Sequence, residues 1–217
     1  MSELVSLRLQ GLCGYPSWDA GQTPFRKIDW ISRYLVKAIK GDLEALRKSF
    51  VVLGKPQKKF NHENYGELVE AFHRWSAERL KELEIDQPVL VAIPNSAATS
   101  AVNDFGTKRL AEGIAAAFGP AAKAYTDLRF SEVLAKSHKG GGRSKTELLN
   151  KMVLNAPVPD GTVVLIDDVC SSGSHLFAAQ RKLRPRAAEL ALVCGRTVNE
   201  PRDKMLNIPI ETITSFW

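Results

Sequence analysis

The sequence predicts an α/β fold: an open, mainly parallel sheet with flanking helices over residues 88–217, preceded by a mainly helical N-terminal subdomain over residues 1–87. Three observations predict it. The apolar runs Val89-Leu-Val-Ala-Ile93 and Val163-Val-Leu-Ile166 are continuous rather than alternating, as strands covered on both faces require. Stretches with apolar residues at helical spacing separate such runs. Strand-like and helix-like segments then alternate from Pro88 to Ile213, the order expected of parallel strands joined by crossover helices.

The N-terminal part begins with a weak alternation over residues 4–10 that predicts a strand. Gly11, Gly14, Pro16, Gly21 and Pro24 then predict an irregular stretch. Ile28, Ile31, Leu35 and Ile39 recur at helical spacing, and Gly41 ends that helix. Leu43 to Val52 continues as a second helix, and Lys55 to Glu63 is a polar loop. Asn64, with Glu67 three residues on, resembles a capping box. Leu68, Phe72, Trp75 and Leu83 line one face of the long helix it opens, a stripe expected in the core. His62 and His73 are expected on the surface, and these first residues display no catalytic constellation.

From Pro88 the pattern changes. A strand over 89–93 stops at Pro94, and a helix carrying Leu110, Ile114 and Phe118 ends at Gly119-Pro120. Ala121 to Tyr125 is a second strand. Gly140-Gly-Gly142, set among Lys136, His138, Lys139, Arg143 and Lys145, reads as a mobile basic loop before a helix over Glu147 to Val153. Val163 to Ile166 is a strand, Ser172 to Leu183 a helix, Ala188 to Val193 a strand and Ile208 to Ile213 another.

Composition closes off several classes. With 44% hydrophobic and 25% charged residues among 217, the chain has the content of a globular protein with a sizeable core, not of a disordered or collagen-like one. Cys13, Cys170 and Cys194 are odd in number and widely spaced, so neither a disulfide framework nor a zinc site is expected. The start lacks the pattern of a signal peptide, and no apolar run reaches the roughly 18 residues of a membrane span. A cytoplasmic location is the expectation. The net charge of +6 is spread along the chain, so a solvated basic surface is expected, and nucleic acid is a partner not favoured.

The chemistry concentrates in Val163-Val-Leu-Ile-Asp-Asp-Val-Cys-Ser-Ser-Gly-Ser-His175. An apolar strand leads into two adjacent carboxylates, then a hydroxyl- and glycine-containing turn, then a helix. Ligands of open α/β sheets sit beyond the carboxyl ends of the strands. The turn offers backbone N–H groups at a helix N-terminus, which suits a phosphate, and Gly173 lets that backbone approach closely. Ser171, Ser172 and Ser174 add donors. Asp167 and Asp168 are acceptors for vicinal sugar hydroxyls. Together they ask for a ligand with both a ribose diol and a phosphate.

This segment resembles the phosphoribosyl-pyrophosphate (PRPP) signature of the type I phosphoribosyltransferases, in which four apolar residues precede two acids and a Thr/Ser-Gly loop. The resemblance is strongest over these thirteen residues, extends in element order across 88–213, and does not cover the N-terminal part. It implies that Asp167 and Asp168 hold the ribose 2- and 3-hydroxyls, and that Cys170, Ser171, Ser172, Gly173, Ser174 and His175 cradle the 5-phosphate. The family usually has Thr where this chain has His175. Its six-oxopurine members commonly carry Asp at the place of Ser171, which argues against hypoxanthine, guanine or xanthine here.

The resemblance extends to two further loops. Ile93-Pro-Asn-Ser-Ala-Ala-Thr-Ser100 falls where the family binds pyrophosphate, which would bring in Asn95, Ser96, Ala97 and Thr99. The basic loop falls where the family keeps a catalytic lid, so that Lys136, Lys139, Arg143 and Lys145 would close over the departing pyrophosphate. Residues 1–87 would form the hood that recognises the acceptor.

The activity so implied is transfer of 5-phosphoribosyl from Mg²⁺·PRPP to a nitrogenous acceptor with release of pyrophosphate, the Mg²⁺ being held largely by substrate oxygens and water. A homodimer is common in the family. Two alternatives stay open: a PRPP-binding regulator without turnover, and a competence-protein (ComF-like) accessory of a nucleic-acid pathway. The second rests on Asn103-Asp-Phe-Gly-Thr-Lys-Arg-Leu-Ala and lacks that branch's Cys-rich zinc module.

Overall fold

The computed structural model describes residues 4–48, 51–53, 58–102, 104–134, 144–184, 186 and 188–216. The elements run β1 (Leu4–Pro16), α1 (Lys27–Ile39), α2 (Leu43–Lys48), β2 (Val51–Leu53), β3 (Lys58–Phe60), α3 (Gly66–Glu82), β4 (Pro88–Ala92), α4 (Gly106–Phe118), β5 (Lys123–Tyr125), β6 (Leu128–Phe130), α5 (Lys145–Lys151), β7 (Met152–Leu154), β8 (Thr162–Cys170), α6 (Ser174–Lys182), β9 (Leu190–Val198) and β10 (Glu211–Phe216). Six strands form one sheet in the order β10-β1-β9-β8-β4-β5, and two small hairpins, β2-β3 and β6-β7, stand apart. Every neighbouring pair in the large sheet is parallel except β1 with β10. The sheet is therefore open and mainly parallel with helices on both faces, as the sequence predicts.

Both faces of the central strands are buried, which explains the continuous apolar runs. Val89, Val91, Val163 and Leu165 belong to one core with Leu148 of α5 and Leu176 and Phe177 of α6. Leu90, Ala92, Val164 and Ile166 belong to the other, with Val36 of α1, Phe72 of α3 and Ile114 of α4. The crossover β4–α4–β5 covers one face and β8–α6–β9 the other. Right-handed crossovers leaving a sheet's middle in opposite directions give that arrangement.

The N-terminal part differs from the expectation. Residues 4–16 form one long strand inside the main sheet, parallel to β9 over Arg8–Pro16 and antiparallel to β10 over Leu4–Leu9. The division expected at Pro88 therefore does not divide the sheet. Gly11 and Gly14 do not break β1: an added Cβ at Gly14 would stand 2.9 Å from the Met205 side chain, so the glycine is there for close packing. Beyond α2 the chain forms a hairpin instead of extending the helix, with Val51 opposite Phe60. Asn64 is not the cap of α3; Tyr65 is, and the Asn64 amide instead accepts from Asn61 N at 2.9 Å and donates to Lys59 O at 3.1 Å. His73 is half-buried between α3 and α4 rather than on the surface.

Helix α1 runs across the strands. Ser32 O accepts from Cys13 Sγ of β1 at 3.7 Å, Val36 packs on Gly195 of β9, and Lys40, the C-cap, reaches Asp168 of β8. One helical turn rises about 5.4 Å, and adjacent strands lie about 4.8 Å apart, so residues four apart meet successive strands. No helix among the described residues is long and apolar enough to cross a membrane. Cys13, Cys170 and Cys194 are buried free thiols.

Candidate functional site

The chain leaves β4 outward to β5, then returns to β8 on the other side of β4 and proceeds to β9. The order reverses between β4 and β8, so a crevice opens at their carboxyl ends, where ligands of such sheets bind. The β4–β8 ladder ends at Ala92 opposite Ile166, with Ile93 N donating to Ile166 O at 3.0 Å. Strand β8 does not stop there. It continues beside β9, with Asp167 opposite Val193 and Cys170 opposite Arg196. The two acids therefore stand on a strand rather than at its end, held by β9 on one side and past the end of β4 on the other.

Asp168 faces α1. Its Oδ1 lies 3.4 Å from Lys40 Nζ; the Lys40 side chain is 42% exposed and that of Asp168 28%. Asp167 Oδ1 accepts from Asp168 N at 2.8 Å. Burial and the neighbouring Asp168 carboxylate push the Asp167 carboxyl well above the usual range, against the opposing pulls of that N–H and of Lys40.

The turn after β8 leads into α6. Gly173 is its N-cap at φ 76°, ψ 4°, a left-handed conformation that glycine adopts without a Cβ penalty. It supplies no side-chain oxygen, and the first turn of α6 holds no acid. Ser172 and Ser174 share a hydroxyl–hydroxyl bond of 2.9 Å, and Ser171 and Ser172 are exposed. Cys170 is different from the rest of the set. Its side chain is buried, with the thiol pushed up to about 12 chiefly by burial, so the thiol is not presented to a ligand. Arg196 of β9 pins this turn: it donates to Cys170 O at 3.4 Å and to Ser171 O, while its Nε donates to Glu211 Oε1 at 2.5 Å.

Across the crevice lies the loop after β4. Asn95 is exposed, and its Oδ1 accepts from Ala97 N at 3.0 Å, so that N–H serves the turn itself. Ser96 O accepts from Leu134 N, and Ala98 O from Phe130 N. Phe130 ties the two loops together, because its ring meets that of His175.

The structure therefore gathers Asp167, Asp168 and Ser171 to His175 at one side of a crevice and Asn95 to Thr99 at the other. Lys136, Lys139, Arg143 and Asn103 lie outside the described residues. Lys145 is held at the start of α5, where it donates to Ser215 Oγ and to Phe216 O. Three residues escaped the sequence reading. Lys40 looks like an ordinary cation at a helix end, and Arg196 like any residue of a strand. The third, Arg129 on β6, is 5% exposed, stacks on Phe105 with its guanidinium carbon 4.4 Å from the ring centroid, and leaves Nη1 without a hydrogen bond. Its guanidinium points away from the Phe130 ring, and the charges it feels are those of Asp127 and of Glu112 on α4. No signal in a single sequence distinguishes a buried arginine from a solvated one.

No family model and no curated protein matches the chain. Among solved structures, the chain is similar to a purine phosphoribosyltransferase from Pyrococcus horikoshii Ot3, at 19% identity and a TM-score of 0.31, over 61% of this chain and 83% of that one.

Proposed function

We propose that the protein is a phosphoribosyltransferase that takes Mg²⁺·PRPP as substrate and transfers the 5-phosphoribosyl group to a nitrogen nucleophile. One observation carries this reading above the others. The acid pair stands at the reversal of strand order, one turn before a helix N-terminus whose cap, Gly173, offers no side-chain oxygen and whose first turn holds no acid, with only Ser172 Oγ accepting from Ser174 N at 3.4 Å. A diol-binding and a phosphate-binding element are thereby adjacent in one crevice.

In this reading Asp167 and Asp168 accept from the ribose hydroxyls, and Ser171 to His175 surround the 5-phosphate. The loop over Asn95, Ser96 and Ala97 receives the pyrophosphate. The C1–O bond to pyrophosphate breaks, its electron pair leaves with the pyrophosphate, and a C1–N bond forms. The ring is oxocarbenium-like between the two events. The protein positions the ring and stabilises charge: the carboxylate of Asp168 faces the developing cation, and the cationic and N–H donors face the leaving group. The acceptor's departing proton goes to solvent or to a base on the acceptor side.

Thermal unfolding with and without Mg²⁺·PRPP tests the reading. A ligand at 100 times its Kd adds about 2.7 kcal/mol to the native state. That raises the Tm of a chain this size by about 5–11 °C. The expected result is such a rise, lost in Asp168→Asn, followed by pyrophosphate release when a matching nitrogenous acceptor is supplied. A Tm indifferent to millimolar PRPP overturns it. A rise without pyrophosphate release from any nitrogen base or amine would make the protein a PRPP-binding regulator.

A further inference from the structure

Lys40 belongs to the N-terminal segment, yet its ammonium stands at the acid pair. The placement is built by packing. Ala38 and Val36 are fully buried, and Gly195 has no Cβ, which lets Val36 settle onto β9. The next turn of α1 then ends at β8, with the Lys40 backbone N–H bonded to Val36 O at 3.0 Å. The groups facing the Lys40 ammonium are the Asp168 carboxylate at 3.4 Å, the Asp167 carboxyl behind it, the buried Cys194 thiol of β9 and, more distantly, the Asp42 carboxylate, which is itself paired with Lys37 at 2.6 Å.

Resting on the function proposed above, we infer that Lys40 is a specificity-determining residue that exchanges partners on binding, leaving Asp168 for the anionic group on C1 of the ligand. The geometry favours an exchange. An ammonium only donates, Lys40 holds Asp168 Oδ1 at a loose 3.4 Å, and a sugar hydroxyl that donates to that oxygen shares its charge with the ammonium and weakens the pair. Once displaced, the half-exposed ammonium is satisfied by an anion next to the diol. PRPP supplies that anion in its 1-pyrophosphate, one carbon from the 2-hydroxyl. Ribose 5-phosphate presents the same diol and 5-phosphate but no charge at C1, so it weakens the Lys40–Asp168 pair and gives the ammonium only water in exchange. Lys40 thereby rejects the sugar phosphate that lacks a leaving group.

The test is calorimetric titration of PRPP and of ribose 5-phosphate, both with Mg²⁺, into the full chain, Lys40→Met and Lys40→Arg. Lys40→Met is expected to weaken PRPP by about 10- to 150-fold, the range for a hydrogen bond to a charged group. Ribose 5-phosphate is expected to bind unchanged or tighter, because Asp168 no longer has to give up a partner. The preference for PRPP collapses, and Lys40→Arg restores most of it. Equal weakening of both ligands would mean that Lys40 only supports the fold, and an unchanged preference would mean that it stays on Asp168; either overturns the inference alone. If the unaltered protein binds neither ligand, the function proposed above falls, and this inference with it.

Discussion

The Phe130 ring meets the His175 imidazole edge-on, with ring centroids 6.1 Å apart and planes at 72°. The contact couples the two loops of the crevice, because Phe130 N also donates to Ala98 O at 2.9 Å. Phe130 is fully buried, so Phe130→Ala opens a cavity and costs about 3–5 kcal/mol, read as a lower denaturant midpoint. His175→Thr keeps Phe130 in the core and restores the residue usual in the resembled family. It is expected to retain PRPP binding, whereas Phe130→Ala weakens it even at temperatures where the variant is folded. Equal ligand affinity in the two variants would show that the ring does not position the turn.

Asp167 is expected to trade stability for binding. Its carboxyl is raised by burial and by Asp168, so the native state holds that proton more tightly than the unfolded chain. The sign follows from linkage. Above the native pKa the ionised group costs stability, and below the unfolded value of about 3.9 both states are protonated and the cost disappears. Asp167→Asn therefore raises the Tm at pH 7 and loses that advantage as the pH falls towards 4. The same variant weakens PRPP binding. Thermal melts across pH 4–8 check the first claim; a variant less stable at pH 7 than the parent would refute it.

His73 gives the opposite pH slope. Its Nε2 is buried without a partner, and burial holds the imidazole below its ordinary value. The unfolded chain then binds the extra proton, so this contribution is full above about pH 6.5 and is lost as the pH falls below it. His73→Leu is expected to flatten the parent's loss of stability between pH 7 and 5. Its neighbour on α4 gives an independent check. A Cβ on Gly113 would sit 2.0 Å from His73 Cε1. Gly113→Ala should thus destabilise by about 1–3 kcal/mol through overpacking, although alanine favours a helix by about 1 kcal/mol. In a His73→Ala background the same change should stabilise, which a double-mutant cycle resolves.

The sheet and the acid pair were legible in the sequence for one reason: they depend on local pattern. Continuous apolar runs report burial on both faces, and the run before Asp167 and Asp168 places them at the carboxyl side of a strand. Strand β1 was only half legible, because Gly11 and Gly14 signal breaks in a sequence while here they admit close neighbours such as Met205. The hairpin β6-β7 was missed, since three-residue strands carry no period to read. Lys40, Arg129 and Arg196 were not legible at all. Each acquires its place through partners distant in sequence, Asp168 for Lys40, Phe105 for Arg129 and Cys170 and Ser171 for Arg196, and a cation at a helix end or in a strand has the same pattern wherever it points.

Gly195 decides where α1 ends. A Cβ there would stand 2.8 Å from Val36 Cγ2, closer than real Cβ contacts come, and 3.2 Å from Tyr15 Cβ and 3.3 Å from Val169 Cγ2, tighter than most. Tyr15 and Val169 lie on the strands either side of β9, so the helix is what must give. Gly195→Ala is expected to cost about 1–3 kcal/mol of stability and to lift the C-terminal turn of α1 from β8. Lifting that turn draws Lys40 away from Asp168. The variant should therefore lose the preference for PRPP over ribose 5-phosphate, as Lys40→Met does, without any change of charge. Val36→Ala in the same chain vacates the space and should recover part of both losses. Recovery of stability without recovery of ligand preference would separate the packing of α1 from the placement of Lys40, and would show that the long side chain finds Asp168 whatever the helix does.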